Sequence, residues 1–412
     1  MSLPPNKHFL KEGSILFVST LVVNAGNYAT NLMLGRWLGP TTFSEVSLLI
    51  TLLLMVSFVA LAFQLTAAKY VSELSADNQH KQIPVLLKWF EKWALIGGIL
   101  LAVFTIIFSI FWQDFFQTHS STPFIIFGFG LPLYLMMSLN RGVLQGQNSF
   151  RKLAITYQVE MWSRLVLSIV FVWLGFGVNG VAWGLTLSLA ITFLISRVKL
   201  EKESAITFQN PKIVQFFLVI LLYECSQILI NNSDTILIKH YFSPIQAGLY
   251  AALALIGRIV YFGTWTVVTI LFPTVIRLEK EGKSHLKYFF GGLSVVFIMA
   301  GLITLTAYLF PHEIVKILFG ERYLSIAPLL WQYAIATGLF ACANVFVYYH
   351  LSLERRTPVW ITLVAGISQI LLIVLFHEDF EQVIKIQIGL MTGLLLTLIG
   401  FQFYQHKKIL LK

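Results

Sequence analysis

Apolar runs long enough to cross a hydrocarbon core of about 30 Å, which takes about 20 helical residues, recur along the whole chain. Twelve are found, at approximately 12–34, 44–67, 93–112, 123–140, 153–174, 178–196, 212–231, 247–272, 287–310, 325–350, 358–376 and 384–404. No segment between them exceeds about 25 residues, which leaves no room for a soluble catalytic domain. The pattern predicts an all-α, multi-pass integral membrane protein of twelve transmembrane helices.

Composition agrees: 57% of the 412 residues are hydrophobic and 12% charged, against roughly 25% charged in a soluble domain. Mean hydropathy is +0.78. One stretch argues for something else. GFGVNG, residues 175–180, has the glycine spacing of a dinucleotide-binding loop, with a strand-like VLSIVFVWL before it, VAWGLTLSLA after it and Glu201 about 20 residues on. A Rossmann unit needs further strands to pair with, and the chain supplies none. The stretch is therefore expected to be the tight turn between the fifth and sixth helices, where glycine lets the chain reverse within a few residues.

The net charge of +10 might suggest nucleic acid, but the basic residues follow the membrane. With a cytoplasmic N-terminus, 22 of the 29 Lys and Arg fall in inner segments and 5 in outer loops, a bias that puts both termini inside. The remaining two, Arg164 and Arg258, fall within spans. The two cysteines, Cys225 and Cys342, are both intramembrane, and the nine histidines are scattered without an HExxH or similar pair. No metal site and no cofactor are expected. The first apolar run is a full span with no cleavage-site pattern after it, so it is expected to be retained.

Sliding the chain over itself by about half its length gives an ordered register. NYATNLMLGRWLGP (27–40) lies over Asn231–Pro244 at an offset of 204, matching Asn27 with Asn231 and Pro40 with Pro244; Thr66, Lys69 and Glu73 match Thr274, Arg277 and Glu281 at 208; Pro123 matches Pro328 at 205. Each repeat holds an even six helices, so the halves are parallel repeats: an N-terminal lobe over 1–203 and a C-terminal lobe over 204–412, joined by the polar linker RVKLEKESAITFQNP (197–211). Parallel repeats related by an axis along the membrane normal suit alternating access around a central cavity.

Four motifs occur in order between the helices: LGRWLGPTTF after the first, NRGVLQGQNSF (140–150) after the fourth, NGVAWG (179–184) opening the sixth and ILFGERYLSIAPLL (317–330) before the tenth. Together they resemble the polysaccharide-exporter branch of the multidrug/oligosaccharidyl-lipid/polysaccharide (MOP) superfamily, along the whole chain. Ser44 departs from it, standing where the LGP..FG pattern has a second glycine. The resemblance implies a MATE-like alternating-access transporter with its cavity lined chiefly by the first, second, seventh and eighth helices. It implies a flippase for undecaprenyl-pyrophosphate-linked oligosaccharide in a bacterial inner membrane, serving O-antigen, capsule or exopolysaccharide assembly, with membrane lipids and polysaccharide-assembly proteins as its surroundings.

A centrally placed arginine costs about 2.5 to 3.5 kcal/mol on insertion scales, so Arg164 and Arg258 are expected to face protein or a wet cavity. Glu160 lies one turn before Arg164, but an i,i+4 pair contributes only about 0.2 to 0.5 kcal/mol, too little to offset exposure to lipid. Arg258, Arg164 and Arg36 are candidate ligands of the substrate's pyrophosphate or acidic sugars; a fixed ion pair between helices is the rival reading. Glu224 in the seventh span, Asp234 just beyond it and Glu160 are candidates for proton or sodium coupling, or for pairing with the arginines. Arg36 and Glu45 at outer helix ends, and Lys69 and Arg277 at inner ends, are gate candidates beside a plain snorkelling role. No aromatic is singled out as a sugar ligand, the Tyr348–Tyr349 pair included.

Two other functions share parts of this picture. A drug or cation exporter of the same superfamily needs an acidic core, whereas the two deepest charges here are arginines. A membrane polymerase or ligase of lipid-linked sugars needs a large outer loop for its catalytic groups, and none is long enough.

Overall fold

The computed structural model describes residues 7–77, 79–198, 211–261, 281–353 and 355–410, with eight positions between 262 and 280. Among these residues there is no strand. The helices are α1 (Lys7–Ala76), α2 (Ile83–Ile107), α3 (Ser109–Phe115), α4 (Thr122–Gly146), α5 (Phe150–Trp173), α6 (Gly177–Ser196), α7 (Pro211–Tyr241) and α8 (Pro244–Gly257). They continue with α9 (Leu286–Leu309), α10 (Pro311–Leu318), α11 (Leu330–Ser352), α12 (Thr357–Leu375) and α13 (Phe380–Leu410).

Ten of the helical runs are long and apolar enough to cross a membrane, the first of them, Ile15–Ser75, being 61 residues long. At 1.5 Å per residue that is roughly 90 Å, about three times a hydrocarbon core of about 30 Å, and α1 is two helices parted at Gly39 (φ 75°, ψ 171°), a conformation open essentially to glycine alone. The expected first and second spans meet there. The eighth span is helical through α8, breaks at Arg258 and Ile259 and is helical again from Val260 at each described residue up to 279, the positions between them lying outside the described residues. The linker expected at 197–211 lies outside them from 199 to 210, as does Arg277.

The chain clusters into two compact units, one of residues 1–38 and 45–224, the other of 39–44 and 225–412. In the first unit the NRGVLQG motif acts as a contact surface. A Cβ on Gly142 would stand 2.4 Å from the carbonyl oxygen of Gln64, and one on Gly146 2.6 Å from that of Ala68, so these two glycines let α4 lie directly on the backbone of α1. GFGVNG forms the turn between α5 and α6, with Gly175 (φ 88°) and Gly177 (φ 53°) in the left-handed region.

In the second unit the segment Gly39–Ser44, the break and the first residues of the second half of α1, is held by its own neighbours. Phe43 packs on Phe319 and Tyr323 with ring centroids 5.6 Å and 6.5 Å away. Ser44, the residue that departs from the family pattern, is buried, donates to the Thr41 carbonyl at 2.7 Å and accepts from Lys239 Nζ at 3.0 Å. A glycine there would offer the buried ammonium no oxygen.

Two of the boundaries that differ from the sequence expectation move charged residues of the site. Helix α7 runs ten residues beyond 231, so Asp234 lies inside it instead of just past it. The Asn231–Asp234 stretch looks like a loop by composition, yet in α7 its polar groups turn into the protein, where Asn232, Ser233 and Asp234 are all buried. Helix α4 likewise continues through Gly146, which takes Arg141 out of the expected inner loop and buries it.

Candidate functional site: two buried arginine centres

The centre of the first unit is built on α4 and α5. Glu160 and Arg164 are one turn apart on α5 and directly bonded. Arg141 reaches the same carboxylate from α4, Nη1 to Oε2 at 2.7 Å. Its other nitrogens are used on one residue, Nε donating to Thr156 Oγ1 at 3.0 Å and Nη2 to the Thr156 carbonyl at 2.9 Å, and its guanidinium lies 4.2 Å over the Tyr157 ring. The Tyr157 hydroxyl accepts from Gln64, which also donates to Gln145. Arg141 is thereby fully engaged.

Arg164 is not. Among the described residues it has beyond Glu160 only a 3.5 Å approach of Nη1 to Asn27 Oδ1, and its Nε is buried without an acceptor. Two guanidinium groups share one carboxylate, which leaves this centre with a surplus positive charge. Glu160 alone cannot neutralise both.

The centre of the second unit brings together α7, α8 and α11. Asp234 on α7 is 1% exposed. Its Oδ2 accepts from the Tyr250 hydroxyl at 3.0 Å and the Tyr333 hydroxyl at 2.8 Å, and its Oδ1 accepts from Arg258 Nη2 at 2.8 Å. The same Nη2 donates to Thr235 Oγ1 at 2.9 Å. Arg258 is the residue at which α8 ends, and the chain turns there. The Gly257 carbonyl freed by that ending accepts from Thr337 Oγ1 at 2.9 Å. Gly257 must be a glycine, because a Cβ would stand 2.2 Å from Cδ1 of Tyr333.

Beside this pair is a cavity of about 20 Å³, room for one water molecule. Arg258, Asp234, Tyr261, Asn231 and Gln369 line it. The amides of Asn231 and Gln369 donate to the Gln227 and Ile230 carbonyls, which fixes their orientation, and their own oxygens are buried without donors.

The other candidates are dispersed. Glu224, on α7, is half-buried and among the described residues makes no hydrogen bond or ion pair. Glu45 is buried at the start of the second half of α1 and accepts from the backbone N–H of His119 at 3.0 Å and from its ring. Lys69 is exposed, 3.9 Å from Glu73 and 4.0 Å over the Phe216 ring. Arg36 is exposed near the end of the first half of α1. Sequence reasoning missed Arg141, Tyr250 and Tyr333. For Arg141 a signal existed, its place between Asn140 and Gly142 in a motif that packs; for the tyrosines there was none, since Tyr333 is 99 residues from Asp234.

The fold is that of the MOP-superfamily transporters. It resembles an inward-facing multidrug resistance MATE family transporter of that superfamily (TM-score 0.75, 13% identity, 94% of each chain covered). It equally resembles the lipid II flippase MurJ in an inward closed conformation (TM-score 0.74, 11% identity, 95% of this chain and 87% of that one). A MOP superfamily transporter from Pyrococcus furiosus, described as having a binding pocket of reverse polarity, matches at TM-score 0.57 and 14% identity over 97% and 95% of the two chains. The chain belongs to the polysaccharide biosynthesis protein family, whose pattern it matches over residues 33–328. No curated protein matches it in sequence.

Proposed function

We propose that the protein is a flippase that carries undecaprenyl-pyrophosphate-linked oligosaccharide across a bacterial inner membrane by alternating access, with both termini cytoplasmic. One observation carries the reading: each unit holds a part-buried arginine whose donors are not all used among the described residues, Arg164 with an orphaned Nε and Arg258 with a single engaged nitrogen. Unspent guanidinium donors inside a membrane suit a phosphate-bearing anion, which they grip through paired charge-assisted bonds. The polysaccharide biosynthesis family and the flippase among the structural relatives support the same substrate class. Glu224, an intramembrane carboxylate without a partner among the described residues, is the candidate for proton or sodium coupling.

The drug or cation exporter is the second reading, favoured by Glu224 alone. A strain lacking the protein separates the two, since lipid-linked units held on the inner face support the flippase and drug sensitivity the exporter. Within the flippase reading, Arg258→Ala is expected to abolish export at unchanged protein level, and Arg258→Lys to restore it only in part. If Arg258→Ala combined with Asp234→Asn recovers export, Arg258 is a structural partner of Asp234 and not a substrate ligand.

A further inference from the structure

We infer that Asp234 is an internal rival of the substrate phosphate for Arg258, a counter-anion built into the second unit that keeps the arginine's grip weak enough for release. The inference rests on the reading of Arg258 as a phosphate ligand.

The two oxygens of Asp234 are used unequally. Oδ2 is bonded to Tyr250 on α8 and Tyr333 on α11, so the carboxylate stays in place whether or not the arginine is on it. Only Oδ1 faces Arg258. The guanidinium is used just as sparingly: Nη2 serves both Asp234 and Thr235, and among the described residues Nε and Nη1 have no acceptor. A pair built to lock helices together would set the fork against both carboxylate oxygens. Here one edge of the fork is left over, beside a cavity.

Arg258 also stands at a two-residue break, with α8 before it and helix resuming at Val260, while Asp234 lies inside a continuous helix. The anchored partner is the acid and the arginine is the one with freedom to engage another anion. A transported ligand must be held firmly enough to enter its site and loosely enough to leave it. A bare guanidinium in a low-dielectric interior would fail the second condition toward a diphosphate, because its attraction is barely screened there. Asp234 offsets that attraction while the phosphate is bound and takes the guanidinium back when it departs.

The test uses the full protein in nanodiscs of phosphatidylcholine, which carries no net negative headgroup, with inorganic pyrophosphate as the probe. Asp234→Asn is expected to bind pyrophosphate at least tenfold more tightly than the wild type, and Asp234→Glu to bind as weakly as the wild type. Export by Asp234→Asn should nevertheless be slower. Arg258→Gln should lose binding in either background. If Asp234→Asn binds no more tightly while Arg258→Gln still loses binding, the rivalry is refuted and the phosphate reading stands. Binding that ignores Arg258 refutes the phosphate reading itself. Should Asp234→Asn fail to fold, infrared difference spectra of the wild type decide: pyrophosphate must shift a buried carboxylate band that Arg258→Gln leaves unshifted, and a band unmoved in the wild type overturns the inference.

Discussion

Gly257 has no room for even a methyl group, since its Cβ would press on the Tyr333 ring at 2.2 Å. Gly257→Ala should push Tyr333 off Asp234 and destabilise the protein by about 1 to 3 kcal/mol, read as a lower midpoint of thermal aggregation in detergent. In the first unit the corresponding weak point is Glu160, the single carboxylate between Arg141 and Arg164. Glu160→Gln leaves two guanidinium groups close together without an acid, a loss of about 3 to 5 kcal/mol. Adding Arg141→Met should return part of that stability, because it removes the charge that is left most deeply buried. A double variant no more stable than Glu160→Gln would show that Arg141 is held mainly by Thr156 and Tyr157.

At the scale of elements, the break in α1 depends on Gly39. Its φ of 75° with ψ of 171° is strained for any residue with a Cβ. Gly39→Ala is expected to cost about 1 to 3 kcal/mol and to disturb the Gly39–Ser44 segment, while Gly291→Ala, inside α9 with no positive φ and nothing within 4 Å, should not destabilise the protein. Equal midpoints for the two variants would remove the special role of the break. The helices themselves were legible in the sequence because hydropathy along the chain is what a bilayer selects, and the break at Gly39 falls in the interval left between the first two apolar spans, 12–34 and 44–67. The end of α7 was not, because Asn231–Asp234 is polar enough to pass for a loop and only tertiary partners make it helix. The arginines were legible as charges out of place in the membrane. Their acids were legible as candidates, Glu160 one turn from Arg164 and Asp234 as one of two for Arg258; the second arginine on Glu160 and the hydroxyls that anchor Asp234 were not, since the latter are ordinary aromatics in a chain that is 15% aromatic.

For the whole molecule, the bias of basic residues toward one face makes a map that can be tested position by position. Single cysteines at 80, 148, 204 and 283 should react with impermeant reagents from the cytoplasmic side only, and those at 118, 177, 243 and 379 from the outside only. One position labelled from the wrong side would invert a helix pair and undo the parallel repeat. The surplus charge of the first centre also has an electrical meaning. A fixed positive charge within the hydrocarbon feels the membrane potential, worth about 2.3 kcal/mol per 100 mV for a full crossing. Any step of the transport cycle that changes the depth of Arg164 is therefore tilted by voltage, and an inside-negative cell draws that charge toward the cytoplasm. In proteoliposomes clamped with a potassium gradient and valinomycin, the wild-type rate should vary with the imposed potential. Arg164→Gln, which leaves Arg141 and Glu160 as a neutral pair, should lose most of that dependence; a rate that stays as voltage-sensitive would place the charge-moving step elsewhere. If that dependence is lost, the turnover of the proposed flippase is set in part by the cell's own polarisation.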